Sequence, residues 1–340
     1  MKKPTLFDEQ FKLERISKLG DPLERLNACI NWDLFVPLLE AVFKKEPKGP
    51  GGRPAYSYLM MFKILLLQEY YGLSDEQMEF QITDRFSFMR FLGLRSCDKV
   101  PDRNTIWLFR EQLSHGDVIK ALFHCFHKEL ERNKMIVNKG KIVDATFVAA
   151  PRQRNSRDEN DDLKEGNTPE NWSEKKSSHK DTEASWTKKG NQTHFGYKNH
   201  IKIDAGSKFI DDYLVTTASA NDGTAGTALV SDKENDQPMY GDSGYHVNTF
   251  KEALEQAGMI DCIHEKGYRN KKITTRQKKS NHRKSKIRAR VEHVFGQIKQ
   301  IRKHLLIRTI GIRRANLKVG LVNLLYNLTR YEYHLRVCRA

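Results

Sequence analysis

The sequence predicts an α/β protein: a mixed sheet flanked by helices, preceded by an all-helical N-terminal domain. Three observations carry that prediction. Residues 1 to about 135 read as helix-length apolar stretches broken by tight turns. From Met135 to His264, short β-branched and aromatic runs alternate with turn signals, and around Glu292 the spacing returns to that of a helix. At 340 residues the chain is long enough for two domains and a full-sized core, and 38% hydrophobic with 30% charged residues fits a globular protein. No apolar run reaches the roughly 18 residues of a membrane span; the densest, 58–67, is interrupted by Lys63. The start, Met1-Lys2-Lys3-Pro4, turns polar and acidic within a few residues, so no secretory signal is expected. Five scattered cysteines without C-x-x-C spacing argue against a disulfide framework or zinc site and for a reducing cytoplasm.

In the N-terminal part, 34–43 is an apolar helix ended by the breaker run Glu46-Pro47-Lys48-Gly49-Pro50-Gly51-Gly52-Arg53-Pro54. A buried helix over 58–71 closes at Gly72. Ser74 with Gln77 forms a capping box that opens a helix over 75–82. Phe86 to Leu92 stops at Gly93, Pro101-Asp102-Arg103-Asn104 introduces a helix over 105–113, and 118–132 is the last. Short helices joined by tight turns suit a helix-turn-helix module, with 105–113 as recognition helix, and equally suit an ordinary bundle.

The second part opens with the β-rich run 141–150. A stretch over 152–192 with almost no apolar content follows and reads as a linker or mobile loop in which Trp172 and Trp186 stand out. Strands are expected at 194–204 and 209–217 around the Ala205-Gly206-Ser207-Lys208 turn, a helix at 224–232, and a strand at 239–242. A helix capped by Asn248 and a strand at 259–264 complete the run. In a final long helix, Ile287, Val291, Val294, Ile298, Ile301 and Leu305 form an apolar stripe, with Arg288, Glu292, Phe295, Lys299 and Lys303 beside it.

Three acids stand out from this pattern. Asp144 sits inside an apolar strand, where both propensity and burial disfavour it, so it needs a strong partner such as a metal ion. Asp242 ends a strand before Ser243-Gly244-Tyr245, a position that presents side chains to ligands. Asp204, Asp211, Asp212 and above all Asp222 compete with it. Glu292 is the only acid between Lys266 and Glu332, and taken alone it reads as a surface partner of Arg288. Charge adds a partner: of the net +16, most lies between His264 and His304, where 15 Lys or Arg face two acids. Such a basic stretch implies a polyanion, bound through counterion release. Three carboxylates beside a DNA-binding surface suit two-metal phosphoryl transfer, with Mg²⁺ held by oxygen ligands.

Asp144-Ala145-Thr146, His194-Phe195-Gly196-Tyr197-Lys198, Asp242-Ser243-Gly244-Tyr245 and Arg290-Val291-Glu292-His293-Val294-Phe295 resemble the serial motifs of bacterial insertion-sequence transposases of the DDE superfamily, the nearest being the insertion sequence five family. The resemblance implies an RNase H-like fold with Asp144, Asp242 and Glu292 as catalytic and metal-holding residues for two Mg²⁺ ions, Mn²⁺ substituting. A related Tyr-x2-Arg-x3-Glu-x6-Lys signature puts its Arg on Arg288 and its Lys on Lys299, but its Tyr on Ser285, a departure. The family's activity implies cutting at terminal inverted repeats and joining of the 3′-OH to target DNA, by a homodimer or higher oligomer on double-stranded DNA in the bacterial nucleoid. A related nuclease that does not join ends, or a domesticated DNA-binding protein, are the alternatives. Lys286, Arg288, Arg290 and Lys299 are the expected phosphate contacts, and Arg103, Asn104 and Arg110 the expected base readers.

Neutralising Lys286, Arg288, Arg290 or Lys299 should weaken DNA binding and flatten its salt dependence by roughly one unit of log–log slope for each phosphate no longer neutralised. Binding isotherms over a salt series measure this; affinity indifferent to salt contradicts the reading.

Overall fold

The computed structural model describes residues 7–43, 55–268, 272–301 and 305–339; the breaker run at 46–54 and Lys303 lie outside them. The chain divides into two compact units, residues 1–126 with 324–340, and residues 127–323. The sequence pattern puts the boundary near Met135, with everything beyond it in one domain.

The first unit is helical. Its elements are α1 (Asp8–Lys18), α2 (Pro22–Cys29), α3 (Val36–Phe43), α4 (Tyr58–Tyr71), α5 (Asp75–Asp84), α6 (Phe86–Leu92), α7 (Arg103–Leu113) and most of α8 (Val118–Arg132). The starts and stops follow the local signals. Ser57 caps α4 and Gly72 ends it in the left-handed conformation at φ 69°, while Ser74 and Gln77 make the reciprocal capping box of α5. Helix α4 is buried on nearly all sides, which is why its sequence shows no polar face. Its one basic residue, Lys63, donates to Asn27 Oδ1 at 2.8 Å and lies 4.5 Å over the Trp32 ring. Burial lowers its ammonium to about 8.

In the second unit, β1 (Lys141–Ala149) is followed by α9 (Arg157–Lys164), α10 (Glu174–Ser178), β2 (Ser185–Lys189), β3 (Gln192–Asp204), β4 (Ile210–Thr217), α11 (Asp222–Gly226) and β5 (Pro238–Gly241). Then come α12 (Asn248–Gln256), β6 (Ile260–Ile263), α13 (Thr275–Arg288), α14 (Arg290–Ile301) and α15 (Ile312–Arg339), whose last part belongs to the first unit. The sheet order is β2-β3-β1-β5-β6, with β4 continuing the β3 edge beyond β2. Strand β1 pairs antiparallel to β3 in unbroken register from Lys141↔Asp204 to Ala149↔Gly196, and parallel to β5, which pairs parallel to β6. This is the mixed, RNase H-like sheet with flanking helices that the motifs implied. Val143, Met239, Tyr245, Phe250, Leu254 and Ile263 form one core that fastens α12 to the sheet, and α14 buries Val291, Val294, Phe295 and Ile298.

Four expectations need correction. The apolar stripe from Ile287 to Leu305 is not one helix: the chain breaks at Ala289 between α13 and α14, and Leu305 lies beyond the second. Helix α13 buries no residue, so the stripe had continuity only in spacing. The 152–192 stretch is folded rather than a linker. A Ser156–Glu159 capping box starts α9, Glu159 accepts from Trp172 Nε1 at 2.7 Å, and Asp181 accepts from the Tyr197 hydroxyl of β3 at 2.7 Å. The expected helix at 224–232 shortens to α11 plus 3₁₀ turns, and Asn248 is the first residue of α12, not its cap. Helices α1, α2 and α15 had no sequence assignment.

One end of β1 holds a buried ion network. Lys141 Nζ lies 2.7 Å from Asp211, 3.8 Å from Asp204 and 3.9 Å from Glu234, Lys202 pairs with Glu234 at 2.8 Å, and His127 meets Asp211 at 3.0 Å. Lys141→Met takes the nearest ammonium from the buried Asp211 and leaves it to His127. It is expected to lower unfolding free energy by about 3 kcal/mol, measured by urea denaturation; a loss under about 1 kcal/mol would show the network to be screened.

Candidate active site

Asp144 lies in mid-β1 opposite Ile201, so the strand holds its carboxylate inside the sheet's packing, where it is 14% exposed. Oδ1 accepts from the Ala145 N–H at 2.8 Å and Oδ2 from Arg288 Nη1 at 2.9 Å. Burial nevertheless pushes its pKa up to about 6, and nearby Asp242 adds to the rise against the pull of Ala145 N–H and Arg288.

Asp242 follows β5 and caps the 3₁₀ turn Ser243–Tyr245, accepting from Gly244 N–H at 2.8 Å. Asp222 starts α11, and its Oδ1 accepts from Lys198 Nζ at 2.8 Å. Tyr245 is fully buried, and its hydroxyl has no partner among the described residues. Burial, followed by the charges of Asp144, Asp222 and Asp242, pushes that hydroxyl's pKa well up. The other rivals are accounted for. Asp204 accepts from Asn138 and Ser207 N–H and organises the β3–β4 turn, Asp211 belongs to the buried network, and Asp212 accepts from Tyr213 N–H. Asp222 is different, since it shares Tyr245's surroundings with the other two. The strand-end signal marks it in the sequence; Lys198 and Tyr245 lie inside the serial motifs, which give them no role.

Glu292 stands in the first turn of α14 with its side chain 65% exposed. Arg288 ends α13, and its guanidinium reaches Glu292 Oε1 at 3.5 Å while holding Asp144. The surface pair at i,i+4 and the strand carboxylate are therefore one bridge. Among the described residues no three His, Cys, Asp or Glu side chains stand close enough together to hold a metal ion. The donor chemistry still fits a hard divalent cation: two oxygen-bearing side chains that repel one another, one of them buried, with an orphaned buried hydroxyl beside them.

The basic candidates are disposed unequally. Lys286 and Lys299 are exposed, whereas Arg290 donates to Ala205 O at 2.6 Å. All of α13 is unburied, a basic helix without an apolar face. In the first unit Asn104 is exposed on α7 and Arg103 pairs with Glu76 at 2.8 Å. Arg110 is engaged within the unit: both its terminal nitrogens hold Asp75 at 2.6 Å, so it braces α5 against α7. Trp172 packs under Lys176 and Lys180, and Trp186, 40% exposed, packs tilted against Phe195.

An RNase H-like sheet carrying strand carboxylates next to a basic helix defines an α/β protein of the nucleic-acid-processing class. More specifically, the chain belongs to the family described as Transposase DDE domain, which matches residues 138–328, and residues 11–112 match Transposase domain (DUF772). It is a transposase of the DDE, insertion-sequence type. Among solved structures it is similar to a piggyBac transposase synaptic complex with hairpin DNA, at 11% identity and TM-score 0.46, covering 94% of this chain and 76% of the other.

Asp144's folded pKa, about 6, stands above its unfolded value, so its contribution favours folding at low pH and is lost as pH rises through 6. In chelator, Asp144→Asn should therefore stabilise the protein at about pH 8, by at most roughly 3 kcal/mol, with the gain fading towards about pH 4. Thermal unfolding across pH measures it, and a gain that does not vary with pH refutes the assignment.

Proposed function

We propose that this protein is a transposase of the insertion sequence five type that cuts at the terminal inverted repeats of its element and joins the freed 3′-OH to target DNA. The observation that supports this best is the buried Asp144 carboxylate, charged against its surroundings beside Asp242 and linked through Arg288 to Glu292. Asp144 and Asp242 would hold divalent metal, Mg²⁺ or Mn²⁺, with Glu292 joining from the rim as Arg288 releases it. Bound there, two such ions would supply the charge that activates the attacking oxygen and steadies the leaving one.

The chain's own groups do the rest. Asp144 must lose its proton to take part, so activity should rise with pH through about 6. Arg288, between the two carboxylates, is placed to exchange one of them for a phosphate oxygen. The unburied cations of α13, with Lys286 and Lys299, hold the backbone without reading sequence. Base reading falls to the first unit, through Asn104 and Arg103; Arg110 would have to give up its two bonds to Asp75 to join them.

Asp144→Asn, Asp242→Asn and Glu292→Gln should each lower cleavage of end-bearing DNA by roughly a hundredfold or more while DNA binding persists. Gel assays of cleavage, and of joining with pre-cut 3′-OH ends, separate the two activities. Cleavage without joining reduces the protein to a nuclease, and wild-type cleavage in any of the three removes that residue from the site.

A further inference from the structure

Helix α13 carries polar residues at the spacing that normally belongs to an apolar stripe. Asn281, Lys284, Ser285 and Arg288 stand at i, i+3, i+4 and i+7, so they share one face. That face is half-buried, whereas Lys279, His282, Arg283 and Lys286 around it are exposed.

The half-buried face is bonded to the chain at the end of β6. Asn281 Nδ2 donates to Glu265 O at 3.0 Å, and its Oδ1 accepts from the Glu265 N–H at 3.0 Å. Lys284 Nζ donates to Ile263 O at 2.7 Å, and Ser285 Oγ lies 3.4 Å from His264 Nε2. One turn further on, Arg288 donates to Asp144 of β1. The strand end is itself fixed to the site. Ile263 pairs with Gly241, the residue before Asp242, and the His264 N–H donates to Gly241 O at 3.2 Å. A Cβ on Gly241 would stand 2.8 Å from Ile263 Cδ1 and 3.2 Å from Val143 Cγ1, so its backbone is seated between the residues that precede His264 and Asp144. Helix α13 therefore bridges from β6 to β1, on either side of the strand that leads into Asp242.

Apolar packing would let a helix slide or roll by fractions of a turn. A paired amide and an ammonium on named carbonyls are directional, and they fix both its height and its rotation. Phosphoryl transfer needs that precision, because a misplacement of about 1 Å is enough to slow a reaction severely.

We propose that Asn281 and Lys284 are positioning residues for the DNA: they fasten the basic helix to the end of β6, so that a backbone held on its exposed cations offers one phosphodiester to Asp144 and Asp242. The inference rests on the proposed function, in which those cations hold DNA and those carboxylates act on it. It divides the cations of α13 by task. Arg283 and Lys286 face the DNA, and Lys284 braces the helix.

The test uses end-bearing DNA and the full chain, with cleavage measured at saturating DNA and affinity measured over a salt series. Asn281→Ala removes two hydrogen bonds and no charge. Its affinity should stay within about twofold of wild type with an unchanged salt slope. Cleavage at saturation should fall by about ten- to a hundredfold and spread over neighbouring phosphodiesters. Lys284→Met should behave alike, and Lys284→Arg, which keeps a donor for Ile263 O, should recover most of the cleavage. A loss of slope in Asn281→Ala or Lys284→Met equal to that of Lys286→Ala makes the residue a phosphate contact and overturns the inference. Wild-type cleavage at the wild-type position in both variants also overturns it; with Asp144→Asn inactive, the proposed function still stands. Wild-type cleavage by Asp144→Asn as well defeats the proposed function itself. Should Asn281→Ala unfold early, the comparison of Lys284→Met with Lys284→Arg decides.

Discussion

The antiparallel ladder between β1 and β3 is the constraint on which the catalytic unit depends. Its register runs without a slip from Lys141↔Asp204 to Ala149↔Gly196. A shift of one residue would move every side chain of β1 to the opposite face, carrying Asp144 away from Arg288. Gly196 helps to hold the far end, because a Cβ there would collide with the Val148 carbonyl. The near end is held by charge, with Lys141 fastened to Asp211 and Asp204 in a network whose side chains are almost fully buried. Between these two fixed ends the strand can carry a carboxylate that its own packing disfavours.

That carboxylate introduces a tension resolved only in part by protein groups. Arg288 and one backbone N–H offset the charge of Asp144, yet burial still holds its pKa near 6. Lys198 offsets Asp222, and the Tyr245 hydroxyl is left with no partner among the described residues. The buried network at the other end of β1 shows the contrast. There each acid has a Lys or His within reach, and the result is a brace. Unequal compensation along a single strand separates a structural cluster from a chemical one.

The two units differ in how charge is used. In the first, Arg110 and Arg103 are engaged by Asp75 and Glu76, so basic side chains hold helix to helix. In the second, α13 has no fully buried residue: Lys284 and Arg288 turn towards the sheet, to Ile263 O and Asp144, while Arg276, Lys278, Lys279, Arg283 and Lys286 are left exposed. A helix with no apolar face also explains the break at Ala289. Only from Arg290 onward does the chain have the Val291, Val294 and Ile298 side chains that a core can take.

Much of this protein was determined locally and could be read from its sequence. Caps, glycine stops and 3.6- or 2-residue periodicities set α4 to α8 and every strand except β2, because each depends on neighbours within a turn or two of chain. The misplacement of Asp144 in an apolar strand was equally visible, since burial cost attaches to the residue type and its immediate surroundings. What only the tertiary structure decided joins residues far apart in sequence. Arg288 reaches Asp144 across 144 positions, and the Asn199 and Asn323 side-chain amides exchange hydrogen bonds across 124. The choice among Asp204, Asp211, Asp222 and Asp242 was open in sequence because every one of them sits at or near the end of a strand. Sheet order separates them: it folds Asp204 and Asp211 into a turn and an ion network, and brings Asp222 and Asp242 to the same tyrosine. Periodicity records which face a side chain takes; which other strand or helix that face meets depends on long-range closure, which no local pattern encodes.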